Sequence, residues 1–233
     1  MCAITLKRSS ESSSNSCQTS NKRPRIISSI QAKSMIMSAL PDRLAKCSAT
    51  TVASPESILL QRLETKVVIQ SSLSESLQTS FFQAPTAEEI AAYDHDSLAA
   101  IRNQDMTTLR QFHAQGRPLK CSNQFGESLL HMACRKGMVE VTTFLVEEAS
   151  VPFAVCDDYG RTPLHDACWA HTTNFELVDL ILTQCPDLLY MEDKRGNTPL
   201  SYLKQQKWAA WAAYLESKPA SFFQPRHTAV LSQ

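Results

Sequence analysis

Hydrophobic residues in the second half of the chain recur at helical spacing, in short blocks separated by glycine, proline and polar residues. This pattern predicts pairs of short helices and an all-α fold. The clearest pair covers residues 129–136 and 139–148, with a break at Gly137. A further helix is predicted over residues 175–182, and an alanine-rich, aromatic helix over 208–215 is predicted to close the series.

A polar turn motif precedes each predicted pair. The fullest copy reads DDYGRTPLHDAC at residues 157–168, and related copies stand at 123–134 (NQFGESLLHMAC) and 193–200 (DKRGNTPL). Their glycines at 126, 160 and 196 are 34 and 36 residues apart. Glycine takes a left-handed turn conformation without steric cost, and Thr162-Pro163 suits the cap and first position of a helix. The chain therefore repeats a turn followed by two helices.

These motifs resemble the ankyrin repeat, because Thr162 to Ala167 match its T-P-L-H-x-A signature and the period is near its value of about 33 residues. The resemblance implies a helix–turn–helix solenoid within residues 86–217. Its repeats would cover about 91–122, 123–156, 157–192 and 193–216, the first being degenerate because it lacks the opening turn glycine. The third has a lengthened connection between its helices, and Ser201 replaces the signature histidine in the fourth.

The flanking segments have a different composition. Residues 1–54 are serine-rich and basic and are predicted to form a disordered arm. Residues 55–85 predict a short helix after Pro55 that docks on the repeats or on a partner, and then a linker; residues 218–233 predict a polar tail. A capping-box pattern from Thr86 to Glu89 marks the start of the folded domain. The sequence SFFQ occurs at 80–83 and 221–224, which favours docking of both phenylalanine pairs against the solenoid.

The formal net charge of zero hides an asymmetry, since residues 1–86 carry +5 and the remainder −5. The basic cluster from Lys22 to Arg25 is a solvated charge run, a nuclear address or a weak nucleic-acid contact. No run approaches the ~18 apolar residues that a membrane span needs. No secretion signal is recognised, so the eight cysteines are expected to be reduced in a cytoplasmic or nuclear protein.

Candidate chemistry is sparse. His131, Cys134, His165 and Cys168 form two His-x-x-Cys pairs, but neighbouring helices pack about 8–10 Å apart whereas zinc ligands lie within about 2.3 Å of the ion. No metal or cofactor is therefore expected. His165 and Asp166 are adjacent in sequence and would point to different helix faces, and no nucleophile or phosphate-loop motif occurs. The sequence predicts a non-enzymatic protein.

The ankyrin resemblance implies a concave binding surface made of turn tips and first helices. The candidate contact residues are Phe125, Glu127, Arg135, Asp158, Tyr159, Arg161, Asp166, Trp169, Lys194 and Arg195. Aromatic and arginine side chains commonly anchor protein interfaces. An alternative for Trp169 is that it folds over the long third-repeat loop. The expected function is recognition of an unidentified protein by a monomer; the alternative is a nuclear regulator whose basic arm contacts nucleic acid while the repeats bind a protein.

Overall fold

The computed structural model describes residues 53–63 and 81–226, and every regular element among them is helical. The α-helices are α1 (Pro55–Arg62), α2 (Ala87–Ala92), α3 (His95–Arg102), α4 (Met106–Ala114), α5 (Leu129–Lys136), α6 (Val139–Thr143), α7 (Pro163–Trp169), α8 (Phe175–Gln184) and α9 (Trp208–Ser217). A π-helical turn, Phe144–Glu148, extends α6. The 3-10 turns are Pro186–Tyr190, Pro199–Tyr202, Gln205–Lys207 and Ala220–Phe223.

Side-chain caps set the starts of the first helices. Thr86 Oγ1 accepts the Glu89 N–H at 3.2 Å, and a Glu89 carboxylate oxygen accepts the Thr86 N–H at 2.8 Å. This reciprocal pair is the predicted capping box, and it begins α2. Asp94 and Asp105 cap α3 and α4 in the simpler one-bond form. The break predicted at Gly137 is also present, because this residue ends α5 with φ +69°.

The repeats stack through their first helices. Helix α3 packs on α5, α5 on α7, and α7 on the turn Pro199–Tyr202. The core between the layers is apolar, and the side chains of Ile101, Leu130 and Leu164 are fully buried in it. The predicted all-α repeat architecture is confirmed.

The fourth repeat departs from the others in its first helix. Where the second and third repeats form α5 and α7, this repeat forms only the 3-10 turn Pro199–Tyr202. Ser201 stands at the position of the signature histidine, and its hydroxyl bonds the Thr198 hydroxyl at 3.0 Å instead of reaching another turn. The lengthened connection of the third repeat leads into α8, which continues two residues beyond the predicted end at 182.

Segments outside the predicted domain limits also belong to the folded body. Helix α1 packs on α9 and on the turn Pro199–Tyr202, with Leu59 buried. It is tied there by a hydrogen bond from the Arg62 guanidinium to the Lys218 carbonyl at 2.6 Å. Of the two docking sites expected for α1, the structure shows contact with the repeats, and the packed body of the described residues includes residues before 86.

Part of the predicted polar tail also packs against the repeats. Residues 220–223 form a 3-10 turn, and Phe223 is fully buried. The Tyr190 hydroxyl donates to the Phe223 carbonyl at 2.5 Å, and the Arg226 guanidinium donates to the Thr183 carbonyl at 2.6 Å. Both predicted phenylalanine pairs, at 81–82 and 222–223, pack against the core. The arm predicted over 1–54 lies outside the described residues except at 53 and 54, as do Ser80 and residues 227–233.

Candidate protein-binding surface

The three repeat turns are built around one side-chain acceptor each. In the third repeat, Asp157 Oδ1 accepts the backbone N–H groups of Tyr159 at 3.0 Å and Arg161 at 2.8 Å. Asn123 and Asp193 bind their own turns in the same way. None of these three residues was predicted as a site residue, although Asn and Asp are typical acceptors at the start of such turns.

Each turn is hydrogen-bonded to the next. The Asp158 N–H donates to the Phe125 carbonyl and the Lys194 N–H donates to the Tyr159 carbonyl, both at 2.8 Å. The close approach requires glycine at residue 126, which has φ +78°, because a Cβ there would lie 2.8 Å from the Cys156 carbonyl oxygen. The turn tips therefore form a continuous row. We call this row, together with the exposed sides of α3, α5, α7 and the turn Pro199–Tyr202, the inner surface.

Two buried histidines join the layers beneath the tips. His131 Nδ1 accepts the Ser128 N–H at 3.1 Å, and its Nε2 donates to the Arg161 carbonyl of the next repeat at 2.9 Å. His165 repeats this arrangement with Thr162 and Asn197. Burial lowers the pKa of both imidazoles, so they are neutral near pH 7. Each ring nitrogen is already used by the fold, and the histidines act as structural bridges.

The cysteines beside these histidines are part of the core. Cys134 and Cys168 are fully buried, and this burial raises the pKa of both thiols well above the ordinary range. A buried, protonated thiol is a poor nucleophile and a poor metal ligand. Among residues 53–63 and 81–226, no three histidine, cysteine or acidic side chains are grouped so that they could hold a metal ion.

Three large aromatic side chains on the inner surface are exposed. Phe125, Tyr159 and Trp169 show 55%, 52% and 54% of their surface to solvent. Trp169 stands edge-on to Tyr202 of the fourth repeat, with ring centroids 6.0 Å apart. Lys204 Nζ lies 5.7 Å from the centre of the Trp169 ring.

Several predicted contact charges are used inside the domain instead. Arg135 forms a two-bond pair with Asp166, at 3.2 and 3.0 Å, and also contacts Glu127 at 2.8 Å. The Asp166 carboxylate is almost completely buried beneath this pair. Arg161 similarly donates to Asp157 from its Nε at 2.7 Å. The first helices of adjacent repeats are neighbours in space, so Arg135 and Asp166 satisfy each other before a partner arrives.

The remaining predicted charges are free. Asp158, Lys194 and Arg195 are exposed, and no ion pair involves them within the described residues. Arg195 instead rests 6.0 Å from the centre of the Tyr159 ring. The turn tips thus offer three side chains that combine exposure with unpaired charge.

A cleft that the sequence did not predict opens between the first two repeats. It has a volume of about 460 Å³, and its lining includes Tyr93, Leu98, Arg102, Met132 and Lys136. Burial raises the pKa of Tyr93 to about 12, so its hydroxyl stays neutral. The cleft combines apolar walls with the unpaired cations Arg102 and Lys136 and with the ion-paired Arg135 and Glu127. Tyr93, Leu98 and Arg102 belong to the degenerate first repeat. Because that repeat lacks the turn motif, no binding role was predicted for them from the sequence.

Comparison with known proteins identifies the repeats. A family model described as ankyrin repeats (3 copies) matches residues 97–188. This part of the chain belongs to the ankyrin repeat family. The family is generally non-enzymatic, and ankyrin arrays present extended concave surfaces to protein partners.

Curated relatives match only in part. The chain is 37% identical to human SMC5-SMC6 complex localization factor protein 1 over 79 residues, which is 34% of this chain and 7% of the relative. It is 36% identical to Putative glutaminase 2 of Caenorhabditis elegans over 66 residues, covering 28% and 11%. It is 27% identical to rat (Rattus norvegicus) Diacylglycerol kinase iota over 150 residues, covering 64% and 14%. The matched segments are a small part of each relative, so the activities of those proteins do not transfer with them. No helix in the described part of the chain is long and apolar enough to cross a membrane.

Proposed function

We propose that the ankyrin domain is a non-catalytic recognition module that binds a protein partner through its inner surface. The observation that carries this proposal is the exposure of Phe125, Tyr159 and Trp169 on that surface. Exposed aromatic clusters carry a solubility cost that burial against a partner relieves. Aromatic side chains also supply large contact areas at the centre of interfaces.

The surroundings of these aromatics suit such a role. Buried histidines and the Arg135 ion pairs hold neighbouring repeats in register, so a partner would meet a preorganised surface. Asp158, Lys194 and Arg195 flank the aromatics with unpaired charge. Glu127, Arg135 and Asp166 then support the surface, and their loss would act on stability as well as on binding.

The alternative function concerns a different part of the chain. It places nucleic acid on the basic cluster at residues 22–25, which lies outside the described residues. It stays a prediction, as do the cytoplasmic or nuclear location and the monomeric state. Loss of nucleic-acid binding between low and moderate salt would favour it.

The experiment compares partner capture by the full chain and by F125S/Y159S/W169S. The matched control is L60S/I90S, which removes two exposed apolar side chains located on α1 and α2. We expect the triple variant to keep native circular dichroism and to lose partners that the wild type and the control retain. Retention of the same partners by a folded triple variant would contradict the proposal. A photoreactive amino acid at Tyr159 should crosslink the partner, and one at Leu60 should not.

A further inference from the structure

The lysine and arginine side chains of the described residues divide by whether they have a partner. Residues 53–63 and 81–226 contain 14 of them. Those that donate to a carboxylate or a backbone carbonyl are Arg62, Arg110, Arg117, Lys120, Arg135, Arg161, Lys207, Lys218 and Arg226. Those without such a bond in this part of the chain are Arg102, Lys136, Lys194, Arg195 and Lys204. All five belong to the inner surface or its edge.

The unpaired cations form two groups. Arg102 at the end of α3 and Lys136 at the end of α5 line the cleft between the first two repeats. Lys194, Arg195 and Lys204 lie at the other end, between the third and fourth repeats. There Arg195 rests over Tyr159, and Lys204 over Trp169. A cation over an aromatic ring is oriented without being neutralised, so it is still available to a carboxylate.

Carboxylates show the opposite distribution. The inner-surface acids that are bonded within the fold are Glu127, Asp157, Asp166 and Asp193. Asp158 is the unpaired carboxylate among the described residues of the three turns, and Glu192 stands just before the fourth turn. On the second helices, by contrast, the acids without a hydrogen bond or ion pair within the described residues are Glu140, Glu147, Glu176 and Glu216. The five unpaired cations therefore belong to the inner surface or its edge, where the unpaired acids are Asp158 and Glu192, and further unpaired acids lie on the outer helices.

We infer that the inner surface recognises an extended acidic segment of a partner protein, in which apolar side chains separate two groups of carboxylates. The inference rests on the proposed function and specifies the chemistry of the partner. Its basis is charge complementarity with the two cationic groups. Phe125, Tyr159 and Trp169 lie between or beside those groups and would take the apolar side chains.

The spacing of the repeats gives the length of the segment. The two cationic groups are about two repeats apart, and helices pack at about 8–10 Å, so the separation is roughly 20 Å. An extended chain advances about 3.3 Å per residue, so this distance corresponds to about six residues. The predicted ligand has acidic residues on both sides of a short apolar stretch.

Other occupants fit the charges less well. The segments of this chain outside the described residues are 1–52, 64–80 and 227–233, with formal charges of +6, −1 and 0, so none of them is an acidic strand. A nucleic acid would extend beyond the inner surface and meet the field of a body that carries −5 over residues 87–233. A short peptide responds mainly to charges within a Debye length of about 8 Å, which here are the unpaired cations.

The test uses labelled probes of defined chemistry and the full chain. Fluorescein-labelled peptides of about 12 residues carry two glutamate pairs separated by about six residues that include leucine and phenylalanine. Companion peptides replace glutamate by glutamine or by lysine, and a single-stranded oligothymidylate of similar length tests nucleic acid. Fluorescence anisotropy is measured at low and at moderate salt. We expect the glutamate peptide to bind at least about tenfold more tightly than the glutamine peptide, and to weaken as salt rises.

Charge variants locate the binding. We expect K194Q/R195Q/K204Q and R102Q/K136Q each to weaken binding of the glutamate peptide by about tenfold. The control R110Q/K120Q/K218Q removes three cations from ion-paired sites and should leave binding within about twofold, although it changes the net charge as much as the first variant. Circular dichroism and thermal midpoints verify the fold of each variant.

The outcomes separate this inference from the proposed function. Equal binding of glutamate and glutamine peptides, or equal loss in the control variant, would overturn the inference. Tighter binding of the oligonucleotide with the same dependence on Lys194, Arg195 and Lys204 would assign the surface to nucleic acid instead. If F125S/Y159S/W169S loses its partner while no acidic peptide binds the wild type, the proposed function stands and the inference of an acidic partner segment is wrong.

Discussion

Alanine substitution of the three turn glycines should destabilise the protein in the order Gly126, Gly160, Gly196. Their φ angles are +78°, +79° and +77°, so an alanine meets the same backbone cost of about 1–2 kcal/mol at each. The space around each added Cβ differs. At residue 126 it would lie 2.8 Å from the Cys156 carbonyl oxygen, and at residue 160 it would lie 3.3 Å from the Lys194 nitrogen. At residue 196 the nearest atom is a Glu192 carboxylate oxygen at 4.0 Å.

These distances give the magnitudes. G196A should lower the free energy of unfolding only by the conformational cost of about 1–2 kcal/mol. G160A requires a small backbone adjustment and should lose about 2 kcal/mol. G126A must displace backbone atoms of the next turn and strain the bond from Asp158 to Phe125, so we expect about 3–5 kcal/mol. That loss is a large share of the ~5–15 kcal/mol that stabilises a typical domain.

Urea denaturation followed by circular dichroism measures the three losses. G116A is a useful fourth variant, since its φ of +73° is similar and no atom lies within 4 Å of the added Cβ. It should behave like G196A. Equal losses in all variants would show that φ strain alone decides the cost, and that the close contact between turns contributes nothing.

Two further predictions concern the core and the buried histidines. W211A should lower the free energy of unfolding by about 3–5 kcal/mol, since Trp211 is fully buried against Phe175. W211F should lower it by less than half as much, because the indole N–H has no acceptor among the described residues and its removal breaks no hydrogen bond. Equal losses for the two variants in urea denaturation would contradict this. The free energy of unfolding should fall as pH decreases from about 7 to 5, by up to about 1.4 kcal/mol per pH unit for each of His131 and His165. The reason is that the imidazoles of the unfolded chain bind protons near pH 6.5, whereas burial lowers the pKa of the same imidazoles in the folded protein. Urea denaturation at several pH values should show a smaller slope for H131Q/H165Q, and an unchanged slope would assign the effect to other groups.

Much of the repeat architecture follows from residues close to one another in sequence. The left-handed glycines, the Thr86–Glu89 capping box and the break at Gly137 each depend on interactions within about four residues. The exposure of the aromatics also follows from repeat position, since Phe125 and Tyr159 occupy the same place beside the turn glycine. A repeat imposes one local geometry on every copy, so recognising the motif predicts those positions together.

Only the tertiary structure decided which faces and charges meet. The sequence predicted an apolar α1 but could not select the fourth repeat as its docking site, because burial of an apolar face is non-directional. The sequence predicted Arg135 and Asp166 as contact residues for a partner. In the structure these two side chains neutralise each other, although they are 31 positions apart in sequence. The sequence likewise could not distinguish paired from unpaired cations, because a salt bridge depends on the positions of atoms in the folded chain, and the partners of Arg110 and Lys218 lie in neighbouring repeats. Local rules therefore determined the elements of this protein, and long-range packing determined which of its side chains are free to bind.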